Sequence, residues 1–361
     1  MNDYELQEKT LKVHLQIIVD QCLKLQSDIM AIILYGGYGR DEGSWFQENN
    51  GLWKPYNDYD LIIVSQNKIP AEALKDLKAT LVKQIGIKWV DLSQLRPDDM
   101  RRLKPSIFNY DLKNAAKVIY GDATLLELIP EIDRAALSMV EAKILFFTRL
   151  YTLLGSLDER GLNTTLKGEA SRFFRNQMAK AILAVVDVLL LAKNAYDASY
   201  SKRVEIALRL YPEKEEFHKL CQWALAEKLR PQAPLMNADD VRSLYKRVHT
   251  FYFTEMYRGL SIYFGKSVSS PADVEHCMKW LPSSMLRRIW WIMKYRNFRV
   301  ERQVAVMVAQ GYIAAAWRSD GINKDDLNRG ISLLRRADAR VAQEMTWDVA
   351  RLEAARLRME V

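Results

Sequence analysis

The chain has 361 residues, 49% of them hydrophobic and 27% charged, with 53 Lys and Arg against 45 Asp and Glu for a formal net charge of +8. That length suffices for two domains and a substantial core. No stretch reaches the about eighteen apolar residues needed to span a bilayer, since Ala181 to Ala192 is interrupted by Asp187, so a membrane partner is not expected.

The opening Met-Asn-Asp-Tyr-Glu-Leu-Gln-Glu-Lys lacks the basic-then-apolar form of a secretion signal, and the expected location is the cytoplasm. Cys22, Cys221 and Cys277 are scattered and odd in number, which fits free thiols in a reducing compartment. With His14, His218, His249 and His276 equally dispersed, no zinc site is expected. Charge is uneven: residues 1–130 hold 16 Lys and Arg against 18 Asp and Glu, the remainder 37 against 27. The basic character of the second part suits a polyanion, or balances triphosphate and acidic partners.

Apolar positions at helical spacing over residues 4–27 (Leu11, Ile17, Ile18, Cys22) predict a helix. Ala31 to Tyr35 and Leu61 to Val64 are short aliphatic and β-branched runs bounded by turn residues, and read as strands buried on both faces. Between them Gly36, Gly37 and Gly39 permit positive φ and close backbone approach, so that successive N–H groups can face an anion. Asn57 and Asp58 lead into the second strand. Side chains two apart on a strand share a face, so Asp58 and Asp60 project together. Paired carboxylates repel unless protonated, hydrated or cation-bound, and hard oxygen donors suit Mg²⁺ or Mn²⁺.

Gly-Gly-Tyr-Gly-Arg-Asp-Glu-Gly at 36–43 and Asn-Asp-Tyr-Asp-Leu-Ile-Ile-Val at 57–64 together resemble the signature of the polymerase-β-type nucleotidyltransferase superfamily. The glycine-rich part is similar to the uridylyltransferase domain of the bacterial nitrogen-sensing enzyme. The resemblance covers residues 28–122 and implies a third carboxylate at the end of a later strand, after a helix. Ala71 to Ile85 supplies the helix, and Asp91 in Ile85-Gly-Ile-Lys-Trp-Val-Asp91-Leu supplies the carboxylate. Asp111 is the competitor, but it precedes a helical pattern and reads as a cap or a solvent-facing residue. Two departures stand out. Gly37 occupies a position often held by serine, leaving phosphate contact to backbone N–H groups, and the segment before Asp58, with Trp45, Trp53 and Pro55, is long enough to predict an inserted loop over the site.

Val118-Ile-Tyr120-Gly121-Asp122 predicts a short strand and turn, and relatives close their catalytic domain on a similar segment. The expected fold class is α+β: a small mixed-sheet nucleotidyltransferase domain with an N-terminal helix over residues 1–130, then an all-α helical bundle over 131–361, for acceptor binding or homo-oligomer formation. Helical spacing marks 137–157, 169–195, 201–210, 214–228, 238–263, 272–278, 283–296, 301–316 and 324–358. Arg172 and Lys180 lie two helical turns apart with Arg175 near the same face, either a solvated basic face or cations for the β- and γ-phosphates. Ser199-Tyr200-Ser201-Lys202 resembles the place where some relatives offer Ser, Tyr or Lys to the nucleotide. The stretch Arg287 to Arg299 interleaves bases with Trp290, Trp291, Tyr295 and Phe298, and is read as core packing with snorkelling Arg rather than as a nucleic-acid surface.

The resemblance implies transfer of a nucleoside monophosphate from an NTP such as ATP to an acceptor hydroxyl, with release of pyrophosphate. Asp58, Asp60 and Asp91 would be both the catalytic set and the ligands of Mg²⁺ or Mn²⁺. Gly36, Gly37, Tyr38, Arg40 and Lys180 would bind the nucleotide. A small molecule or protein is favoured over an RNA 3′ end as acceptor, because no RNA-binding module is visible. The contrasting reading is a regulatory or antitoxin-like nucleotide-binding protein without turnover.

Overall fold

The computed structural model describes residues 2–48, 50–56, 58–279, 300–318 and 320–360, which fall into two compact units. The first comprises Met1–Ser138 and Lys193–Gln232, the second Met139–Ala192 and Ala233–Val361. This departs from a single boundary at 130/131: the chain leaves the first unit, enters the second, and returns for forty residues.

The first unit is built on four strands, β1 (Ile29–Tyr35), β4 (Tyr59–Ser65), β5 (Val90–Leu95) and β6 (Lys117–Gly121), in the order β5-β4-β1-β6. β1 is antiparallel to both β4 and β6, whereas β4 and β5 are parallel and joined by helix α3 (Ala71–Ile85). Alternation then decides which side chains meet. Ile32, Leu34, Leu61, Ile63, Val90 and Leu92 face α1 (Asp3–Leu25) and α3, in one apolar cluster with Ile18, Cys22, Leu77 and Leu81. Ala31, Ile33, Ile62 and Val64 face the other way, against Met100 of α4 (Pro97–Met100), Leu112 of α5 (Ile107–Ala115), Leu125 and Ile129. Both faces of the two central strands are therefore covered, which is why their sequences are continuous apolar runs.

The segment expected as a loop over the site is a hairpin of β2 (Trp45–Gln47) and β3 (Trp53–Pro55). Trp45 belongs to the cluster on the α1 and α3 side and Trp53 packs against that cluster, its indole N–H 3.2 Å from Asp3. The two indoles draw the hairpin to the face opposite the aspartates. That corrects the expectation.

The returning segment carries α8 (Tyr200–Leu210) and α9 (Glu215–Leu229). In the second unit α6 (Val140–Leu154), α7 (Glu169–Leu191) and α10 (Ala238–Phe264) pack together, with α12 (Val300–Ala316), α13 (Lys324–Ala337) and α14 (Trp347–Glu360) against one another and α6. α11 (Pro271–Lys279) packs on α12. α7 is the most enclosed: every residue from Ala181 to Leu191 is buried, including Asp187. The single helix expected over 324–358 is two, because α13 stops at Asp338, whose extended backbone leaves the helix and whose side chain holds Arg340 in a tight turn. The helix expected at 283–296 and the basic aromatic stretch 287–299 lie outside the described residues. Among the described residues no helix is long and apolar enough to cross a membrane, and the three cysteines are buried free thiols.

Arg351 of α14 has no exposed surface and donates to the carbonyls of Leu154, Leu157 and Asp158 just past the end of α6, with its Nε on Asp348 at 3.0 Å. The Leu154 and Leu157 carbonyls have no helical partners, so the guanidinium acts as their cap, while the Asp158 carbonyl also accepts from the Gly161 N–H. Arg351→Ala should cost about 3–5 kcal/mol, since it strands buried acceptors and the Asp348 carboxylate. Urea unfolding checks this, the second unit losing its transition midpoint while the first retains its own.

Candidate functional site

β1 ends at Tyr35 and the chain turns at once into one helical turn, α2 (Gly36–Gly39). Gly36 has φ +67°, and a Cβ there would lie 1.9 Å from Oδ2 of Asp60. Glycine is thus required twice, for the backbone and for the space the Asp60 carboxyl occupies. Gly39 is equally constrained, since a Cβ would meet the Leu34 carbonyl oxygen at 2.6 Å.

The sheet register places the acids. Asp60 stands opposite Tyr35 on one side and Asp91 on the other, so the three residues form a row across β1, β4 and β5. Asp58, two residues before Asp60, adds to the same end of that face. Burial, then the charges of Asp58 and Asp91, push the Asp60 carboxyl up to about 7, with Lys228 and Arg40 acting in the opposite sense. Burial and the same three aspartates also raise the Tyr35 phenol, which is bonded to Ser93. Asp91 is about half exposed and is met by Lys78 of α3 at 3.6 Å.

Among the described residues no three His, Cys, Asp or Glu side chains are grouped tightly enough to hold a metal ion. The expected ligands Asp58, Asp60 and Asp91 are close enough for the charges of Asp58 and Asp91 to act on Asp60. As donors they fit a hard divalent cation, which would relieve the like-charge penalty carried by Asp60.

Other expected site residues have different surroundings. Tyr38 is 2% exposed, gives its hydroxyl proton to the Ser44 carbonyl at 2.6 Å and packs edge-on to Trp45. Arg40 is equally occupied: it donates to the carbonyls of Gly36 (2.9 Å) and Ala198 (2.6 Å), pairs with Asp111 at 3.2 Å and stacks on Tyr200. These two side chains hold the glycine turn in place and are not turned out to a ligand. Gly37 leaves its carbonyl to the Glu42 N–H at 2.8 Å. Asp111, expected as a cap or a solvent-facing residue, pairs with Arg40 at 3.2 Å and Arg203 at 3.9 Å and accepts from the Tyr196 hydroxyl at 3.2 Å. Lys180 lies in the second unit on α7, as does Arg172, whose guanidinium pairs with Glu169 at 2.9 Å. Asn57 lies outside the described residues.

Two residues carry weight that sequence reasoning missed. Glu42 is 9% exposed and accepts from the Ser199 hydroxyl (2.9 Å) and the N–H groups of Tyr200 (2.7 Å) and Ser201 (2.8 Å), at the first turn of α8. Lys228, 4% exposed at the end of α9, donates to the Ser44 hydroxyl at 3.1 Å, lies over the Tyr200 ring and places a positive charge within range of Asp60. A buried cation within range of the partly buried Asp60 carboxylate in the same unit makes an electrostatic site.

No protein-family model matches the sequence, and comparison with curated proteins finds none similar to it.

Proposed function

We propose that the first unit is a nucleotidyltransferase of the polymerase-β type, moving a nucleoside monophosphate from an NTP to an acceptor hydroxyl. The observation that carries the reading is the row of Asp60 and Asp91 in register on parallel strands, with Asp58 two residues ahead and the Asp60 carboxyl seated on the Gly36 turn. This joins the sequence resemblance to an electrostatic setting that penalises free carboxylates and rewards a cation.

In this reading the N–H groups about the Gly36 turn hold the triphosphate, the buried charge of Lys228 acts on the site through space, and Tyr38 and Arg40 keep the turn rigid. The acceptor oxygen forms a bond to the α-phosphorus, the bond to the β-phosphate oxygen breaks, and pyrophosphate leaves. The acceptor's proton passes to a carboxylate of the set, of which Asp91 is the most accessible. Mg²⁺ or Mn²⁺ held by Asp58, Asp60 and Asp91 would supply charge neutralisation and a more acidic acceptor hydroxyl. Alignment of the attacking and leaving oxygens then falls to the protein.

A nucleotide-binding protein without turnover is the contrasting reading. One experiment separates the two. The full chain is incubated with each α-labelled triphosphate, Mg²⁺ and cell extract, and the products are fractionated. Label in protein or in small molecules, with pyrophosphate released, is the expected result. Bound but unconverted nucleotide would favour the regulatory reading.

A further inference from the structure

β5 is the outermost strand of the sheet: its one neighbour is β4, and among the described residues no other backbone pairs with Val90 to Leu95. Beside that open edge runs a groove of about 620 Å³ between α3 and β5, walled by Leu74, Val82, Val90, Leu92 and Trp89. Trp89 is 59% exposed, a large indole at the mouth of the groove. Three cations rim it, Lys75, Lys78 and Lys88, and Lys78 reaches across the edge of the sheet to Asp91. Among the described residues, strand backbone without a second partner and an apolar groove thus occur together with three lysines, of which Lys75 is met only by the exposed Glu72 at 3.7 Å and Lys78 by Asp91.

We propose that the β5 edge binds an extended acidic segment of a protein, which adds a fifth strand to the sheet and presents a hydroxyl side chain to the aspartates. Alternation of side chains along such a strand makes the arrangement specific. Residues on one face enter the groove between α3 and β5, where apolar side chains are buried and acidic ones meet the lysines. Their neighbours in sequence fall on the opposite face, which carries Asp91 and Asp60. With strands about 4.8 Å apart, a Ser, Thr or Tyr opposite Asp91 lies one strand spacing from that carboxylate and about two from Asp60. The acceptor of the proposed reaction is then a protein hydroxyl, and the step is the one balanced above. Aliphatic walls and a free strand edge favour a peptide over single-stranded nucleic acid, which needs successive aromatic platforms where the groove offers one indole.

The purpose assigned to the peptide rests on the nucleotidyltransferase reading, but its binding does not, so binding is measured without nucleotide. The probe is a fluorescein-labelled hexapeptide, Glu-Ser-Leu-Tyr-Glu-Ser, whose Glu and Leu side chains share one face and whose Ser and Tyr side chains share the other, titrated with the full chain and followed by anisotropy. Saturable binding is expected, weakened about tenfold or more by Trp89→Ala and by Lys75→Glu. N-methylation of alternate backbone nitrogens in the peptide should abolish it. Both substituted side chains are exposed, and circular dichroism checks that the variants fold. Absence of binding at millimolar protein, equal affinity for the N-methylated peptide, or tighter binding of an oligouridylate than of the peptide would each overturn the proposal. Peptide binding without label transfer from any triphosphate would leave the docking edge standing and count against the catalytic reading alone.

Discussion

Asp60→Asn is expected to abolish nucleotidyl transfer while making the ligand-free protein more heat-stable at pH 8. The activity loss, at least about a thousandfold, follows from removing a central member of the carboxylate set. The gain in stability follows from linkage. Folding lifts the Asp60 carboxyl to about 7, chiefly through burial and then through Asp58 and Asp91. An unfolded aspartate titrates near ~3.9, so the folded state holds the proton more tightly. Stability is therefore intact below about pH 4, declines as pH rises toward 7, and stays reduced above it. With allowance for partial exposure of the carboxyl, the penalty is on the order of 2 kcal/mol, or roughly 4–8 °C in the melting temperature of a unit of this size. Calorimetry in EDTA should show the variant melting higher at pH 8 and together with the unsubstituted chain at pH 4. A variant that melts lower at both would show that the carboxyl is not held under electrostatic stress.

Glu42→Ala should be the most damaging single change in the first unit outside the carboxylates. It removes the acceptor of three donors at the first turn of α8, two of them backbone N–H groups with no helical partner. Leaving them unsatisfied costs about 3–4 kcal/mol. Glu42→Gln retains one acceptor oxygen and should lose less than half as much. The consequence reaches the site, because α8 and α9 bring Tyr200 and Lys228 to the sheet. In thermal unfolding the Ala variant should lose roughly 6–16 °C in the first transition, with nucleotide affinity falling in parallel. Unchanged stability would mean that the carboxylate does not lock the returning segment.

What could be read in advance and what could not have physical reasons. Ala31 to Tyr35 and Leu61 to Val64 were legible as strands because both faces of β1 and β4 are covered and their composition has no polar alternation. Gly36 was legible because a positive φ leaves few alternatives, and the adjacency of Asp58 and Asp60 followed from strand period alone. Glu42 and Lys228 were not, since their partners lie 158 and 184 residues away and neither disturbs the local pattern of its segment. Arg40 and Tyr38 misled because motif membership says that a residue matters without saying which way it points. The break at Asp338 was hidden because α13 and α14 both carry helical spacing, and only the cap marks the interruption.

The measurement that bears most directly on the account is nucleotide-dependent Mn²⁺ binding, followed by electron paramagnetic resonance with a non-hydrolysable α,β-linked triphosphate analogue. The charges of Asp58 and Asp91 act on Asp60, and a nucleoside triphosphate adds oxygen donors to theirs. Weak Mn²⁺ uptake is expected without nucleotide, tight uptake with the analogue, and loss of the tight component in Asp60→Asn. Equal Mn²⁺ binding by the Asn variant, or no dependence on nucleotide, would contradict it.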